Sequence, residues 1–247
     1  MKAISRRQTT RRALLFTSLL LFPLTINYLS PYIIIDGASQ GIVNGSMIVF
    51  ALMFLGSLFF GRVWCGWACP AGGLAEAGQY IVNKPAPRQK LDWIKWLVWA
   101  IWLGVIAAAA ISAGGYRAIN PFHLTESIIS IDRVYGFIIY YIVIATFLIP
   151  SLLIGRRAGC HAFCWMAPFM ILGRKLRNRF AWPALRLQAD ASRCKDCKTC
   201  TSTCPMSLDV NAMVRKQQME HSECILCGTC ADGCPARAIR FAFQAGK

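Results

Sequence analysis

Long apolar blocks, rather than alternating apolar and polar positions, dominate the first part of this sequence. Four blocks cover residues 13–34, 41–60, 93–112 and 134–154, each about as long as the roughly 20 residues that a helix needs to cross a membrane. Lys95 is the one charge in the last three blocks, and we expect its ammonium group to reach water at the membrane surface. The pattern predicts an all-α membrane domain of four transmembrane helices, arranged as two repeated hairpins.

The basic residues that flank these blocks set the expected orientation. Lysine and arginine number five before the first block and none between 35 and 46, four between 61 and 92, two between 113 and 136, and fifteen after residue 154. Loops on the cytoplasmic side carry the excess of basic residues. We therefore expect a multi-pass protein of the inner (cytoplasmic) membrane, with both chain ends and all cysteines on the cytoplasmic side, where thiols stay reduced.

Composition and charge narrow the class of protein. Of 247 residues, 56% are hydrophobic and only 15% are charged, which is unlike a single water-soluble globule and excludes disordered and collagen-like chains. The formal net charge of +16 suggests an anionic neighbour. With this hydrophobicity, membrane lipid is the expected neighbour, and no nucleic acid is expected.

Two identical cysteine runs near the C-terminus carry the clearest chemistry. Each reads Cys-x2-Cys-x2-Cys-x3-Cys-Pro, which is typical of bacterial two-cluster ferredoxins, in which the fourth cysteine of each run ligates the other cluster. This spacing predicts one [4Fe-4S] cluster on Cys194, Cys197, Cys200 and Cys234, and another on Cys224, Cys227, Cys230 and Cys204. Zinc sites favour two separate Cys-x2-Cys pairs instead. We expect residues 190–247 to form a small α+β ferredoxin domain.

Two further Cys-x3-Cys motifs follow the second and fourth apolar blocks. They read Gly61-Arg-Val-Trp-Cys65-Gly-Trp-Ala-Cys69-Pro70 and Gly155-Arg-Arg-Ala-Gly-Cys160-His-Ala-Phe-Cys164. Two similar hairpins would deliver both pairs to one membrane face, so we predict a third [4Fe-4S] cluster on Cys65, Cys69, Cys160 and Cys164. Copper, reactive thiols and cysteines that only pack remain alternatives, because soft thiolates also favour copper.

The segment between the last block and the ferredoxin domain has its own composition. Residues 155–189 hold seven basic residues and no acidic one, with bulky apolar residues between them. We interpret it as an amphipathic cytoplasmic segment lying on anionic headgroups. The expected domains are therefore residues 1–154, 155–189 and 190–247.

Other residues have both a functional and an ordinary interpretation. The tryptophans at 93, 96, 99 and 102 offer a ring surface for a quinone, or simply pack. His123 and Glu126, in a predicted outer loop, are candidate proton acceptors from a quinol or ordinary loop residues. His161 either tunes a metal site or only neighbours one. Three histidines cannot form paired haem ligands, and no nucleotide-binding glycine loop is present.

Taken together, these motifs resemble a family of polytopic membrane ferredoxins, the NapH-like quinol dehydrogenase membrane components and their relatives in methylamine utilisation, nitrous oxide reductase maturation and cytochrome oxidase assembly. The resemblance implies electron transfer between the quinone pool and other redox subunits, with two [4Fe-4S] clusters in the soluble tail. The family's second motif is usually Cys-x3-Cys-Pro, whereas here proline comes only at Pro168. No flavin-attachment domain precedes the first block, so no flavin is expected.

The leading hypothesis is thus an electron-transfer subunit of a quinol-linked oxidoreductase. One rival is a copper-binding metalloreductase or assembly factor that uses Cys65, Cys69, Cys160, His161 and Cys164. Another is a redox sensor or scaffold without turnover of its own.

Overall fold

The computed structural model describes residues 5–125, 130–131 and 134–246. Its helices are α1 (Arg6–Leu20), α2 (Phe22–Thr25), α3 (Pro31–Gln40), α4 (Gly45–Phe60), α5 (Val63–Trp67), α6 (Pro70–Gly78), α7 (Arg88–Leu91), α8 (Ile94–Ser112), α9 (Val134–Leu153), α10 (Ala158–Ala162), α11 (Ala167–Arg179), α12 (Thr199–Ser202), α13 (Val210–Arg215) and α14 (Thr229–Asp232). Its strands are β1 (Ile42–Asn44), β2 (Ala118–Asn120), β3 (Ala184–Ala189) and β4 (Ile239–Gln244). Short 3-10 turns cover Ile26–Leu29 and Ala191–Arg193.

Two helices are long and apolar enough to cross a membrane, and their presence supports membrane association. These are α8, with 19 residues, and α9, with 20 residues. A third crossing is available if the first helix and the helical turns after it count as one bent span. The fourth apolar helix, α4, has 16 residues, or about 24 Å, which is shorter than the usual requirement.

The first predicted span, residues 13–34, is broken rather than continuous. Helix α1 ends at Leu20, and the next helical segment, Phe22–Leu29, is bent from it by 59°. Pro23 stands in the first turn of α2, and Pro31 opens α3. Proline lacks the N–H that would bond to the preceding turn, so it starts a helix readily and weakens or breaks one in its interior.

Helix α11, in segment 155–189, packs along α4 with one side and leaves Lys175, Leu176 and Arg179 exposed. The ring of Phe169 meets that of Phe50 edge-on at 5.5 Å between centroids, and a side chain at Gly173 would collide with Ser57. Arg174 and Arg177, on the same helix, are buried. Arg174 and Arg186 pair with Glu220 of the ferredoxin domain, and Arg157 pairs with Glu76 of α6, partners that composition alone does not reveal.

The ferredoxin domain contains one antiparallel strand pair and short helices, an α+β arrangement. Strands β3 and β4 run from the pair Ala184 and Gln244 to the pair Ala189 and Ile239. The buried residues of the cysteine-bearing turns and of α12–α14 form one core with residues of α3, α4, α8 and α9. At another place in the fold, β1 and β2 form a short parallel pair that joins two loops. The ferredoxin domain is thus continuous with the membrane part.

Candidate iron–sulfur centres

The structure gathers the cysteines of both Cys-x3-Cys motifs into one group, here called the membrane-edge site: Cys65, Cys69, Cys160 and Cys164. All four are buried. Cys65 and Cys160 lie on the short helices α5 and α10, while Cys69 and Cys164 lie just before α6 and α11. The two motifs therefore meet, as their repeated sequence suggested.

Each of the last two thiols receives a backbone hydrogen bond from the start of the helix that follows it. The donors are Gly72 for Cys69 and Ala167 for Cys164, and both bonds favour the thiolate. Burial nevertheless raises the pKa of Cys164 to about 12 and that of Cys69 well above its usual range, and the neighbouring thiols add to both shifts. Four thiols that repel one another as thiolates need a cationic group to hold them together.

Buried cationic groups surround the membrane-edge site. Arg62 and Arg157 are each 1% exposed, and both feel the charge of its thiolates. Their Nε atoms, and Nε2 of His161, are buried and have no hydrogen-bond partner among the described residues. The unpaired guanidinium N–H groups of Arg62 and Arg157 fit an anionic group, and a [4Fe-4S] cluster with four thiolate ligands is such a group. The residues present therefore fit this cluster.

The spacing of the thiols bears on the copper alternative. In a mononuclear thiolate site with metal–sulfur bonds of about 2.3 Å, the sulfur atoms lie about 3.8 Å apart. Among the described residues, no three of these thiols, with or without His161, come within 4.8 Å of one another. Cubane ligands stand farther apart because each binds a different iron. As they stand among the described residues, these four thiols thus do not form a three- or four-thiolate site for one ion.

In the ferredoxin domain, the two cysteine runs line two separate cavities. One cavity of about 20 Å³, the inner cavity, is lined by Cys204, Cys224, Cys227 and Cys230. A second one of about 20 Å³, the outer cavity, is lined by Cys194, Cys197, Cys200 and Cys234. In both cavities, three cysteines of one run meet the fourth of the other run.

The thiols of the two cavities differ in exposure. Burial raises the pKa of Cys204 to about 12, with Cys227 as a further cause, and burial also raises the pKa of Cys224 and Cys230. In the outer cavity, Cys197 is exposed and Cys194 and Cys234 are half-buried. The cysteines of the outer cavity thus lie closer to the protein surface than those of the inner cavity.

The loop that carries the inner cysteines packs directly on the membrane-edge site. Trp67 Nε1 donates to the Leu226 carbonyl at 3.1 Å, and Arg174 Nη1 donates to the Cys224 carbonyl at 2.6 Å. A Cβ at Gly66 would stand only 2.4 Å from the Ile225 carbonyl oxygen. Glycine is required at this position for the two backbones to approach so closely.

Charged groups that the sequence analysis did not connect join the inner loop to the membrane part. Glu223 accepts from Arg62 at 2.8 Å and from Lys95 at 2.7 Å. Burial raises the pKa of the Glu223 carboxyl, but Arg62 and Lys95 outweigh this effect and hold it well below its usual range. Lys95 is fully buried, which corrects our expectation that it reaches water. No local pattern signals this contact, since the partners are 128 residues apart in sequence.

His161 and Asp92 complete this charged group. Nδ1 of His161 lies 2.6 Å from an Asp92 carboxylate oxygen. Asp92, His161 and Glu223 offer three ligand atoms within 4.8 Å of one another. Lys95 and Arg62 already supply positive charge there, so the arrangement is an ion-pair network rather than a cation site.

A second buried carboxylate organises the other side of the membrane-edge site. Glu76 accepts from Arg11 at 3.1 Å through one oxygen, and Arg157 lies 3.4 Å from the same oxygen. Burial raises the Glu76 pKa, but these two arginines outweigh it and lower the pKa overall. The basic residues before the first block thus have a structural role, since Arg11 belongs to them.

The tryptophans of α8 and the residues His123 and Glu126 were the other candidates for a role in quinone binding or proton transfer. Trp102 donates to the Pro31 carbonyl at 3.1 Å, and Trp99 packs edge-on against Phe169, which favours the packing interpretation. His123 Nε2 lies 2.7 Å from Asp36. Glu126 lies outside the described residues.

A recess of about 190 Å³ lies near the first turns of α9. Its lining is mainly apolar with a few polar groups: Ile26, Asn27, Ser30, Tyr32, Ile33, Leu124, Ser130, Tyr135, Gly136 and Ile139. Trp165, next to Cys164, donates to the Leu29 carbonyl at 3.2 Å, and Leu29 adjoins the recess residue Ser30. Trp165 therefore links the membrane-edge site to the wall of this recess.

Comparisons with known proteins support iron–sulfur chemistry in both parts of the chain. A 4Fe-4S binding domain matches residues 45–89, which include Cys65 and Cys69, and a 4Fe-4S dicluster domain matches residues 193–239. No solved structure matches the chain.

Three relatives extend these matches. An uncharacterized protein of Methanocaldococcus jannaschii is 26% identical over 73% of this chain and 72% of its own length. YccM of Escherichia coli, provisionally named as an electron transport protein, is 23% identical over 76% of this chain and 54% of its own length. The methylamine utilization ferredoxin-type protein MauN of Methylorubrum extorquens is 22% identical over 68% of this chain and 54% of its own length. The chain thus spans about half the length of the last two.

Proposed function

This chain is a ferredoxin-type iron–sulfur protein, and we propose that it passes single electrons between the quinone pool and soluble redox partners. The family matches confirm the resemblance drawn from the sequence at this level. The finer claims are ours: four membrane crossings, cysteines on the cytoplasmic side, and work as an electron-transfer subunit of a quinol-linked oxidoreductase.

One observation carries the proposal: the three cysteine groups are contiguous. The membrane-edge site packs on the inner loop through Gly66 and Trp67, and the inner and outer cavities share the two cysteine runs. Electron transfer along a chain of clusters requires neighbouring cluster sites to lie close together, whereas a redox sensor without turnover does not require it. When bound, [4Fe-4S] clusters accept and donate one electron each.

The proposed ligand sets follow the cavities. The outer cavity would hold one cluster by Cys194, Cys197, Cys200 and Cys234, the inner cavity a second by Cys204, Cys224, Cys227 and Cys230, and the membrane-edge site a third by Cys65, Cys69, Cys160 and Cys164. The protein supplies the spacing, excludes water from the inner and membrane-edge thiols, and balances their charge with buried arginines.

The recess near α9 supports a quinone as the lipid-soluble partner. An apolar lining with a few polar side chains suits a quinone ring with two carbonyl oxygens. From Ile139, in its wall, to Phe147, whose ring contacts Trp165, α9 rises by about 12 Å. That distance is far below the roughly 30 Å that separates the two faces of a membrane.

The His123–Asp36 pair lies beside the same recess. Leu124, which lines it, directly follows His123, and its carbonyl accepts from Asn27 at 2.9 Å. An imidazole paired with a carboxylate can take up a proton, which oxidation of a quinol must release. We assign His123 this role as part of the proposal.

The proposal is tested by following the reoxidation of reduced protein. The holoprotein in nanodiscs is reduced anaerobically and mixed with decylubiquinone, and cluster absorbance is recorded by stopped flow. We expect the wild type to be reoxidised, and a Cys65→Ala/Cys160→Ala variant to keep its ferredoxin clusters but lose reoxidation by quinone. Gly104→Ala is the control, since nothing lies within 4 Å of that position. Equal rates in the double variant and the wild type would refute a path through the membrane-edge site.

A further inference from the structure

The acidic residues of the ferredoxin domain are divided between its two sides. Three of the six carboxylates in residues 190–247 pair with arginines from outside these residues. Glu220 pairs with Arg174, Glu223 with Arg62, and Asp232 with Arg7. The side that faces the membrane part thus uses its acidic groups to dock on basic ones.

This division leaves the opposite side of the domain basic. Its exposed basic residues are Arg193, Lys195, Lys198, Arg215, Lys216, Arg237 and Arg240, and its exposed acidic residues are Asp190, Asp196 and Asp209. The seven positive charges minus three negative ones give this surface, here called the outer face, a net charge of +4. All three carboxylates already have partners: Asp190 binds Ser192, Asp196 pairs with Arg215, and Asp209 caps α13.

The outer face coincides with the outer cavity. Lys195 and Lys198 line that cavity beside Cys194 and the exposed Cys197. The distance of 3.7 Å between Arg215 and Asp196 places Arg215 at the same loop. A redox protein that binds this surface brings its redox centre close to the outer cysteines. Its binding surface then faces the basic side chains around them.

A polar recess of about 320 Å³ opens beside the outer cavity. Its lining includes Arg193, Arg237 and Arg240, with Asp190 as the single carboxylate among its described lining residues. Arg193 immediately precedes Cys194, and Arg237 follows Cys234 by three residues. Guanidinium groups bind carboxylates through paired hydrogen bonds, so the recess suits an acidic side chain projecting from another protein.

We propose that the outer face is the docking surface for an acidic soluble electron-transfer protein. The argument is charge complementarity. On the side that faces the membrane part, carboxylates of the domain pair with arginines. On the outer face, basic side chains outnumber the carboxylates and lie next to the exposed Cys197. This inference rests on the proposed function. It adds where the soluble partner binds and what charge that partner carries.

The test uses a plant-type [2Fe-2S] ferredoxin, a strongly acidic protein, as the electron donor. Its reduced form is mixed with the full-length holoprotein in phosphatidylcholine nanodiscs at increasing salt, and the rate of cluster reduction is recorded. Photoreduced deazariboflavin, which is small and uncharged, serves as a parallel donor. Electrostatic steering raises association rates by about 10- to 1000-fold at low salt. We therefore expect the ferredoxin rate to fall at least about tenfold as salt rises, and the deazariboflavin rate to stay constant.

Two variants locate the effect. Arg193→Glu/Lys195→Glu should slow ferredoxin at low salt by at least about tenfold while deazariboflavin still reduces the clusters at the wild-type rate. Lys84→Glu/Arg179→Glu reverses two exposed basic residues outside the domain and should change neither rate. Arg193→Gln/Lys195→Gln should give an intermediate rate with unchanged iron content.

Several results would overturn the inference. A ferredoxin rate that is independent of salt, or equal slowing by the Lys84/Arg179 variant, would mean that the outer face does not steer the partner. Suppression of the wild-type rate by phosphatidylglycerol in the nanodisc would mean that lipid headgroups occupy this face instead. Failure of both donors to reduce wild-type clusters would count against the proposed function itself, and so is distinct from loss of docking.

Discussion

Replacement of Gly66 by alanine tests the contact between the membrane-edge site and the inner loop. The new Cβ would stand 2.4 Å from the Ile225 carbonyl oxygen, whereas ordinary contact begins at 3.4 Å, so the backbones must separate by about 1 Å. That movement lengthens the 3.1 Å bond from Trp67 to Leu226 to about 4.1 Å, beyond hydrogen-bond range. Overpacking costs about 1–3 kcal/mol and a lost hydrogen bond about 1 kcal/mol, so we expect a loss of about 2–4 kcal/mol in stability.

The assay is unfolding of the solubilised holoprotein in guanidinium chloride, followed by the loss of cluster absorbance. Gly56→Ala is the matched control, because nothing lies within 4 Å of Gly56 and alanine favours a helix over glycine by up to about 1 kcal/mol. We expect a lower midpoint for Gly66→Ala and an equal or higher one for Gly56→Ala. Electron exchange between quinone and the ferredoxin clusters should also slow in Gly66→Ala alone. Equal midpoints for the two variants would refute the close packing of α5 on the inner loop.

Two further predictions concern buried and exposed charges. Glu76→Gln leaves Arg11 and Arg157 buried without their carboxylate and should lower the free energy of unfolding by about 3–5 kcal/mol at neutral pH, as measured by denaturant titration. Because the pKa of Glu76 is lowered in the folded state, the stability that this carboxylate contributes is present above about pH 4.3 and is lost as the pH falls through the folded-state pKa. The stabilities of the wild type and the variant should therefore converge in acid. Asp232→Ala removes the carboxylate that binds Arg7 and Gln8, so limited proteolysis should cut α1 faster in this variant. Asp196→Ala breaks only an exposed ion pair and should leave the digestion pattern unchanged. Equal patterns for the two variants would contradict anchoring of α1 by the ferredoxin domain.

The sequence predicts which cysteines lie together, but it does not predict which charged residues surround them. Cys-x2-Cys-x2-Cys-x3-Cys fixes three thiols within one tight loop, so the gathering of Cys224, Cys227 and Cys230 is a local matter. The meeting of Cys65 with Cys160 is not local, but the repeated hairpin pattern was sufficient to predict it. Each hairpin places its cysteine pair directly after its second helix, although the first helix is broken in one hairpin and continuous in the other.

The destinations of the basic residues could not be predicted from composition. Arg62, Lys95 and Arg174 are buried against carboxylates far away in sequence, and hydropathy counts them only as polar. The length of the first apolar block also did not predict its structure. Its hydrophobicity suggests one continuous helix, but new helices begin next to Pro23 and at Pro31. Long-range ion pairs and helix breaks depend on the whole fold.

The central claim, three iron–sulfur centres in succession, is tested most directly by counting iron and acid-labile sulfide under anaerobic conditions, with EPR, in the wild type and in Cys65→Ala/Cys160→Ala. Three cubanes contain about 12 irons and two contain about 8. We predict about 12 irons in the wild type and about 8 in the double variant, with the ferredoxin signals retained. About 8 irons in both proteins would contradict the membrane-edge cluster.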